Sequence, residues 1–486
     1  MLSSKPPLSK VSVYRQDAAV SEVSQEQLPV ESIGRELLSD RVGIVTGRGE
    51  FKARADREGN YIYSPSNKRF NQVQAFVSAQ RTTELFSSYA ERDIDWAFEG
   101  SHLAVIPHAG EGKNAYYARW NQSIAFYSFD SRPLKKTVHT AQSADVVSHE
   151  TGHALLDGMR PQWGKTFDKE TKAMHEAVGD CAAMLLTISR PENRRDALAE
   201  TGGDLTKDNC ISRISEEFGE AVRRANRNPN DDFNYLRNAN NQFRYQPPET
   251  LPNDAPRDVL SAESHSFCQI FTRGFYNSVV AVYDQYRGQG MEPEEALGRA
   301  GDVMGRCLAK GLTMSAPNKA RFADVAQAML RADQLAGGQH KGALLAGFQS
   351  AGILSPDASE ELNQPLPQGT PAQVLQKLGL PDYTLARSVT DSTGRTTHEF
   401  LLTEEVSVED AGGWGPLALD VTAGLSLSYD GAGQLVHLAH LGKDVDKELN
   451  GLPSPNQLSN TEFPLNFRVL PGLDGSKLEA LPVFVD

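Results

Sequence analysis

The stretch SADVVSHETGHALLD, residues 143–157, contains the pattern His-Glu-x-x-His, with His149 and His153 four residues apart. On an α-helix, positions i and i+4 lie one turn apart on the same face, so both imidazoles can reach one metal ion. Glu150 leaves the backbone beside the first histidine, where its carboxylate meets water held at such an ion. Val146, Val147, Ala154 and Leu155 make the surrounding helix apolar, so it is expected to be buried. A buried pair of histidines needs polar partners, and a metal ion supplies them.

A hydrolytic zinc site needs a third protein ligand and an open position for water. The next helical segment, KAMHEAVGDCAAMLL at 172–186, offers Glu176 and Asp180, four apart on one face. Glu176 is the candidate third ligand. Asp180 is placed to accept the free ring N–H of a ligand histidine and so orient it. His175 competes as a ligand but stands one residue off that face. The extended pattern HExxHxxGxxH is excluded, because Leu156 and Met159 stand where Gly and His are required.

The rest of the chain sets the context. Its 486 residues are too many for one ordinary domain; two or three are expected. A hydrophobic content of 39% and a charged content of 23% describe an ordinary globular composition. The net charge of −14 argues against nucleic acid or an anionic membrane as partner. The short basic run RRANR, 223–227, reads as a solvated helix face. The N-terminal MLSSKPPLSKVSVYRQDAAV lacks the apolar core of a secretory signal, and no run is long and apolar enough to span a bilayer. A cytoplasmic location is the default expectation, and export by a signal-less route would look the same. Cys181, Cys210, Cys268 and Cys307 are scattered, with no CxxC pair, which fits buried thiols.

Along the chain, residues 1–60 read as a polar arm with some strand. Residues 70–92 carry helical periodicity, and 102–108 and 122–130 read as strands. From 143 to about 354 the chain is mainly helical, in segments 143–158, 170–189, 264–286, 293–311, 319–335 and 340–352. The Pro-rich, acidic stretch 355–373 reads as a linker. Residues 374–486 read as a separate, mostly β domain. The fold class expected is α+β.

With these residues in view, the chain resembles the thermolysin-like gluzincin metallopeptidases. DVVSHETGHALLD followed by HEAVGD is similar to that family's active-site helix and its Glu-bearing helix. NAYYARWNQSIAFYSFD, 114–130, resembles the edge strand whose Asn-Ala pair holds substrate main chain. LRNANN, 236–241, resembles the segment with the active-site arginine, and SHSFCQIFTRGFY, 264–276, the helix that opens with the catalytic histidine. The similarity covers roughly 60–354, with four motifs in order.

The resemblance implies a two-lobed zincin domain over 61–354, β-rich to about 142 and helical over 143–354. It implies zinc held by His149, His153 and Glu176, Glu150 as general base, and His265 with Arg237 at the oxyanion. Asn114 and Ala115 would bind substrate backbone, and Asp180 would orient a ligand histidine. The implied activity is zinc-dependent endopeptidase action on a peptide or protein substrate.

There are departures. Residues 154–175 lack the family's oxyanion tyrosine; Trp163 is the nearest polar aromatic, and its indole N–H is the substitute considered. Leu260 stands where the family has an aspartate that partners the catalytic histidine, with Asp258 and Glu263 nearby as replacements. The resemblance also implies a calcium cluster. Asp145 matches one of its ligands, while Thr187 stands where an acid is expected. The alternatives are an aminopeptidase with the same zinc set, whose Gly-x-Met-Glu-Asn strand is missing here, and an inactive or autoinhibited zincin-fold binding protein. In the latter the C-terminal β domain would engage a partner.

Overall fold

The computed structural model describes residues 7–34, 36–132, 134–226, 234–409, 411–455, 467–471 and 476–485. Of the basic run at 223–227, Arg227 lies outside them. The chain opens with an antiparallel pair, β1 (Leu8–Tyr14) and β2 (Val23–Pro29), then a single turn, α1 (Val30–Ile33), and β3 (Val42–Ile44). This segment is no loose arm. Val11 and Val13 are fully buried in the main core. Gln74, on the first long helix, α2 (Lys68–Ala90), accepts the Tyr14 N–H at 2.8 Å and donates back to the Tyr14 carbonyl at 3.1 Å. The apolar residues of β1 find their partners on a helix made some 60 positions later, which a local reading does not reveal.

After α2 come β4 (Leu103–Glu111), β5 (Ala115–Ala118), β6 (Ser123–Ser131) and β7 (Lys136–His139). β5 pairs antiparallel with β6, β6 runs parallel to β4, and β4 parallel to β3. The helical region follows: α3 (Ala144–Met159), α4 (Lys169–Ser189), α5 (Pro191–Thr201), the strand β8 (Arg213–Ile214), α6 (Glu216–Asn226), β9 (Arg237–Asn238), then α7 (Ser264–Gly288), α8 (Pro293–Met314), α9 (Phe322–Leu335) and α10 (Lys341–Ser350). Their starts are chemically marked. Ser143, Asp168 and Glu263 cap α3, α4 and α7 by accepting a backbone N–H of the first turn.

The stretch read as a linker holds a short helix, α11 (Ala358–Glu361), and leads into α12 (Pro371–Leu378), which a Thr370/Gln373 capping box begins. The remaining elements are β10 (Thr384–Thr390), β11 (Thr396–Val408), β12 (Leu417–Tyr429), β13 (Leu435–Leu441), α13 (Val445–Asn450), β14 (Phe467–Pro471), β15 (Ser476–Ala480) and β16 (Val483–Val485). Strands β10–β15 form one six-stranded sheet. The architecture is thus mixed α and β, with a helical region and separate sheets.

The second sheet is not held apart from the rest. Arg160, at the C-terminal end of α3, is wholly buried and meets Glu399 of β11 at 2.5 Å, and Arg387 of β10 holds the other oxygen of Glu399 at 2.8 Å. Ser426 donates to the Ser315 carbonyl at 2.7 Å. The last strand, β16, leaves this sheet altogether and pairs antiparallel with β5, completing the first sheet in the order β16–β5–β6–β4–β3 with β7 on β6. No helix among the described residues is long and apolar enough to cross a membrane.

Candidate metal centre

Two glycines bring the helices of the site together. A Cβ on Gly152 of α3 would lie 3.0 Å from the Ala182 Cβ and 3.1 Å from the Gly179 Cα of α4. A Cβ on Gly179 would lie 2.6 Å from the His149 ring. Without side chains at these two points, α4 approaches the imidazole face of α3, and Glu176 and Asp180 come level with His149.

Among the described residues, one group of ligand-type side chains has the spacing of a metal site. The donor atoms of His149, His153 and Glu176 lie within 4.8 Å of one another, and all three residues are buried. His149 Nε2 is 3.3 Å from Glu176 Oε2, and His153 Nε2 is 3.7 Å from Glu176 Oε1. The two imidazole rings stand nearly perpendicular, 4.7 Å apart. Two imidazole nitrogens and a carboxylate, buried within reach of one another, form a donor set that could hold a divalent ion.

Asp180 fixes the tautomer. Its Oδ1 is 3.1 Å from His149 Nδ1, so Nδ1 carries the proton and Nε2 would be the atom to face an ion held there. Arg237 holds Asp180 in turn, its Nη2 donating to Oδ1 at 2.8 Å and its Nε to both oxygens at 3.0 and 3.1 Å. Burial alone would raise the Asp180 carboxyl, but Arg237 and His149 bring it below the ordinary carboxylate value. Arg237 therefore sits on Asp180 and beside His149 Nδ1, 3.3 Å away, rather than standing apart as a surface arginine.

Glu150 is fully buried on α3 between the two histidines. His265, at the start of α7, places Nε2 3.3 Å from Glu176 Oε2. Its Nδ1 is 2.7 Å from Glu263 Oε1, so Glu263 is its partner, in place of the alternative Asp258. Burial raises the Glu263 carboxyl, yet the His265 ring and the backbone N–H groups of His265 and Ser266 outweigh it and bring the group down to about 2.

Asn114 and Ala115 are both buried where β5 begins. Asn114 Oδ1 accepts the Ala115 N–H at 2.9 Å, and its carbonyl accepts from Thr140 at 3.2 Å. An open cleft next to the metal group is lined by Lys113, Leu236, Arg237, Glu263, His265 and Gln269.

The positions of Trp163 and His175 set aside two alternatives that the sequence left open. Trp163 is not an oxyanion donor: its indole is wholly buried and its N–H goes to the Ala316 carbonyl at 3.0 Å. His175 does not join the ligand group. It is wholly buried, its imidazole is held well below its ordinary pKa first by burial and then by Arg119, and its ring stacks on Phe484 with centroids 3.9 Å apart. Among the described residues no group of three His, Cys, Asp or Glu side chains with metal-site spacing includes Asp145. Asp145 is instead surrounded by Gln16, Thr187 and the Ser215 N–H, at 3.4, 3.4 and 3.2 Å. Phe484 itself gave no signal in the sequence, because a single aromatic residue in the middle of a three-residue strand has no local mark of a site.

No protein-family model and no curated protein matches this chain. What fold and site define by themselves is a mixed α and β protein with a buried His-His-Glu centre able to hold a metal ion.

Proposed function

We propose that this chain is a zinc-dependent endopeptidase of the thermolysin-like kind, acting on peptide or protein substrates and not on nucleic acid or membranes. The observation that carries the reading is the buried His149–His153–Glu176 group, with the buried Glu150 on the same helix as the two histidines and His265 Nε2 3.3 Å from Glu176 Oε2 in the lining of an open cleft. Zinc suits two imidazole nitrogens and one carboxylate, and when bound it supplies Lewis acidity and lowers the pKa of its water to about 7.

The chain's own residues do the rest. The Glu150 carboxylate takes a proton from the attacking water as the C–O bond forms. It then delivers that proton to the amide nitrogen as the C–N bond breaks. His265 donates from Nε2 to the developing oxyanion, its other nitrogen being held by Glu263. Arg237 acts through Asp180 on the orientation of His149 and lines the cleft where the substrate carbonyl would lie. Lys113 lines the same cleft, and the chain continues from it into Asn114 and Ala115 at the start of β5, where an extended main chain would pair.

The test is hydrolysis of a quenched-fluorescent peptide library by the wild type and by Glu150→Gln, each with and without a chelator. Wild-type cleavage that is lost on chelation and reduced at least ~100-fold in Glu150→Gln supports the reading. Equal rates in the two proteins would refute it. A second reading, a zincin-fold binding protein without turnover, has one observation in its favour: β16 covers the edge of β5.

A further inference from the structure

The edge strand of a sheet presents unpaired N–H and C=O groups that invite another extended chain. In this protein the edge next to the metal centre is taken. β16 pairs with β5 through Val483↔Ala118, Phe484↔Tyr117 and Val485↔Tyr116, and the Arg119 N–H adds a bond to the Pro482 carbonyl at 3.0 Å. The Phe484 ring enters the site. It stacks on His175 at 3.9 Å, on the metal-ligand candidate His153 at 4.8 Å and on Tyr117 at 6.4 Å. A small cavity beside Glu176 is walled by Trp163, Lys172, Ser264, Val483 and Phe484, so the segment closes this end of the site while the His265 end stays open.

The direction of the strand matters. Tyr117 is anchored at the far end of α3 by its hydroxyl on Asp157, 2.7 Å away, whereas Lys113, just before β5, lines the open cleft. β16 is antiparallel to β5, so its chain runs from the Asp157 end toward that cleft. An extended peptide laid on β5 in the same sense would continue past His153 and Glu150 to His265 and Arg237.

The backbone pairing is also short, although Val483 and Phe484 are buried. Three residue pairs hold β16, and only Leu481 and Pro482 separate it from β15 in the other sheet. Such a tether gives a high local concentration, while so short a pairing can open without unfolding the domain. Gly164 permits the seat, since a Cβ there would lie 2.8 Å from the Pro482 Cβ.

We propose that β16 is a tethered, substrate-like inhibitor, and that the edge it covers accepts, when it leaves, an extended peptide with an aromatic side chain over His153 and His175. On the peptidase reading, on which this rests, that aromatic residue lies on the amino-terminal side of the bond cleaved. The inhibition is competitive and built into the chain.

The experiment uses the full chain carrying Phe484→Ala, with and without Glu150→Gln, and a fluorescent peptide SKLEALPVFV, the sequence of 476–485. Anisotropy of the labelled peptide reads binding without catalysis. The expected result is binding to Phe484→Ala/Glu150→Gln at least tenfold tighter than to Glu150→Gln alone. The same peptide with alanine for its phenylalanine should bind at least tenfold more weakly. On library peptides, Phe484→Ala should turn over at least tenfold faster than wild type, with aromatic residues enriched on the amino-terminal side.

Peptide binding without any hydrolysis would remove the peptidase reading and keep the occupied edge. Hydrolysis that is equal in both proteins, with no peptide binding, would overturn the tethered inhibitor and leave the peptidase. Should Phe484→Ala fail to fold, amide exchange on the unaltered chain decides. Faster exchange in 483–485 than in α3 supports the proposal; protection equal to that of α3 makes β16 a fixed part of the fold and overturns it.

Discussion

Glu263 Oε1 lies 2.7 Å from His265 Nδ1, and this pair sets the proton inventory of the site's half-buried histidine. The carboxylate holds Nδ1–H and leaves Nε2 toward Glu176. Glu263 also caps α7 through its second oxygen on the Ser266 N–H at 3.0 Å. One residue thus starts the helix and orients the histidine that the helix carries.

Replacing it separates the two jobs. In Glu263→Gln the cap is kept, but the charge facing His265 is lost, so the imidazole becomes a weaker base. Histidine titration by NMR should show a lowered His265 pKa, and kcat/KM should fall by about 10- to 100-fold. The native Glu263 pKa of about 2 is below its ordinary 4.5, so its contribution to stability is present above pH 4.5 and is lost as pH falls through about 2. Acid unfolding of Glu263→Gln should lack that component.

Asp180 supports two neighbours at once, His149 and Arg237. Asp180→Ala leaves a buried guanidinium without its carboxylate and a ligand histidine without its orienter. On the proposed zinc site, zinc affinity, read by chelator competition, should weaken by about 10- to 100-fold. Urea unfolding should show a loss of about 3–5 kcal/mol. Undiminished zinc affinity in this variant would show that His149 is oriented by something else.

Asp145 predicts a pH dependence of the opposite sign. Burial, with the charge of Asp17 beside it, pushes its carboxyl up to about 8. The folded chain then binds this proton more tightly than the unfolded chain, so the stability it contributes is whole below its ordinary 3.8 and is lost as pH rises through about 8. Calorimetric melting between pH 5 and 9 should show the wild-type Tm falling, with a flatter profile in Asp145→Asn.

The Arg160–Glu399 contact joins α3, the helix of His149 and His153, to β11, with both side chains almost wholly buried. Glu399→Ala strands Arg160 and Arg387 and should destabilise by about 3–5 kcal/mol. Because the contact spans the two regions, the wild type should melt in one transition. A separate early transition of the β region would contradict the coupling.

The candidate metal ligands were legible because their spacing is local. His149, Glu150 and His153 share one helix, and Glu176 and Asp180 share the next, so a spacing of four residues is already a geometric statement. The long helices were legible for the same reason, their apolar period being written in consecutive residues. Arg237, His265 and Asn114 were reached only by resemblance, since a single arginine or histidine in a loop or at a helix start carries no period.

Other features were decided by contacts between distant segments. Trp163 is polar and near the site in sequence, yet folding turns its N–H onto Ala316. Val11 and Val13 look like part of a polar arm until α2 supplies the surface that buries them. The pairing of β16 with β5 joins residues more than 360 positions apart. No local propensity encodes such a pairing, because strand partnership depends on which edge is left open after the rest of the sheet has formed. The sequence by itself determined the chemistry that sits on α3 and α4; only the tertiary structure decided what lies against it.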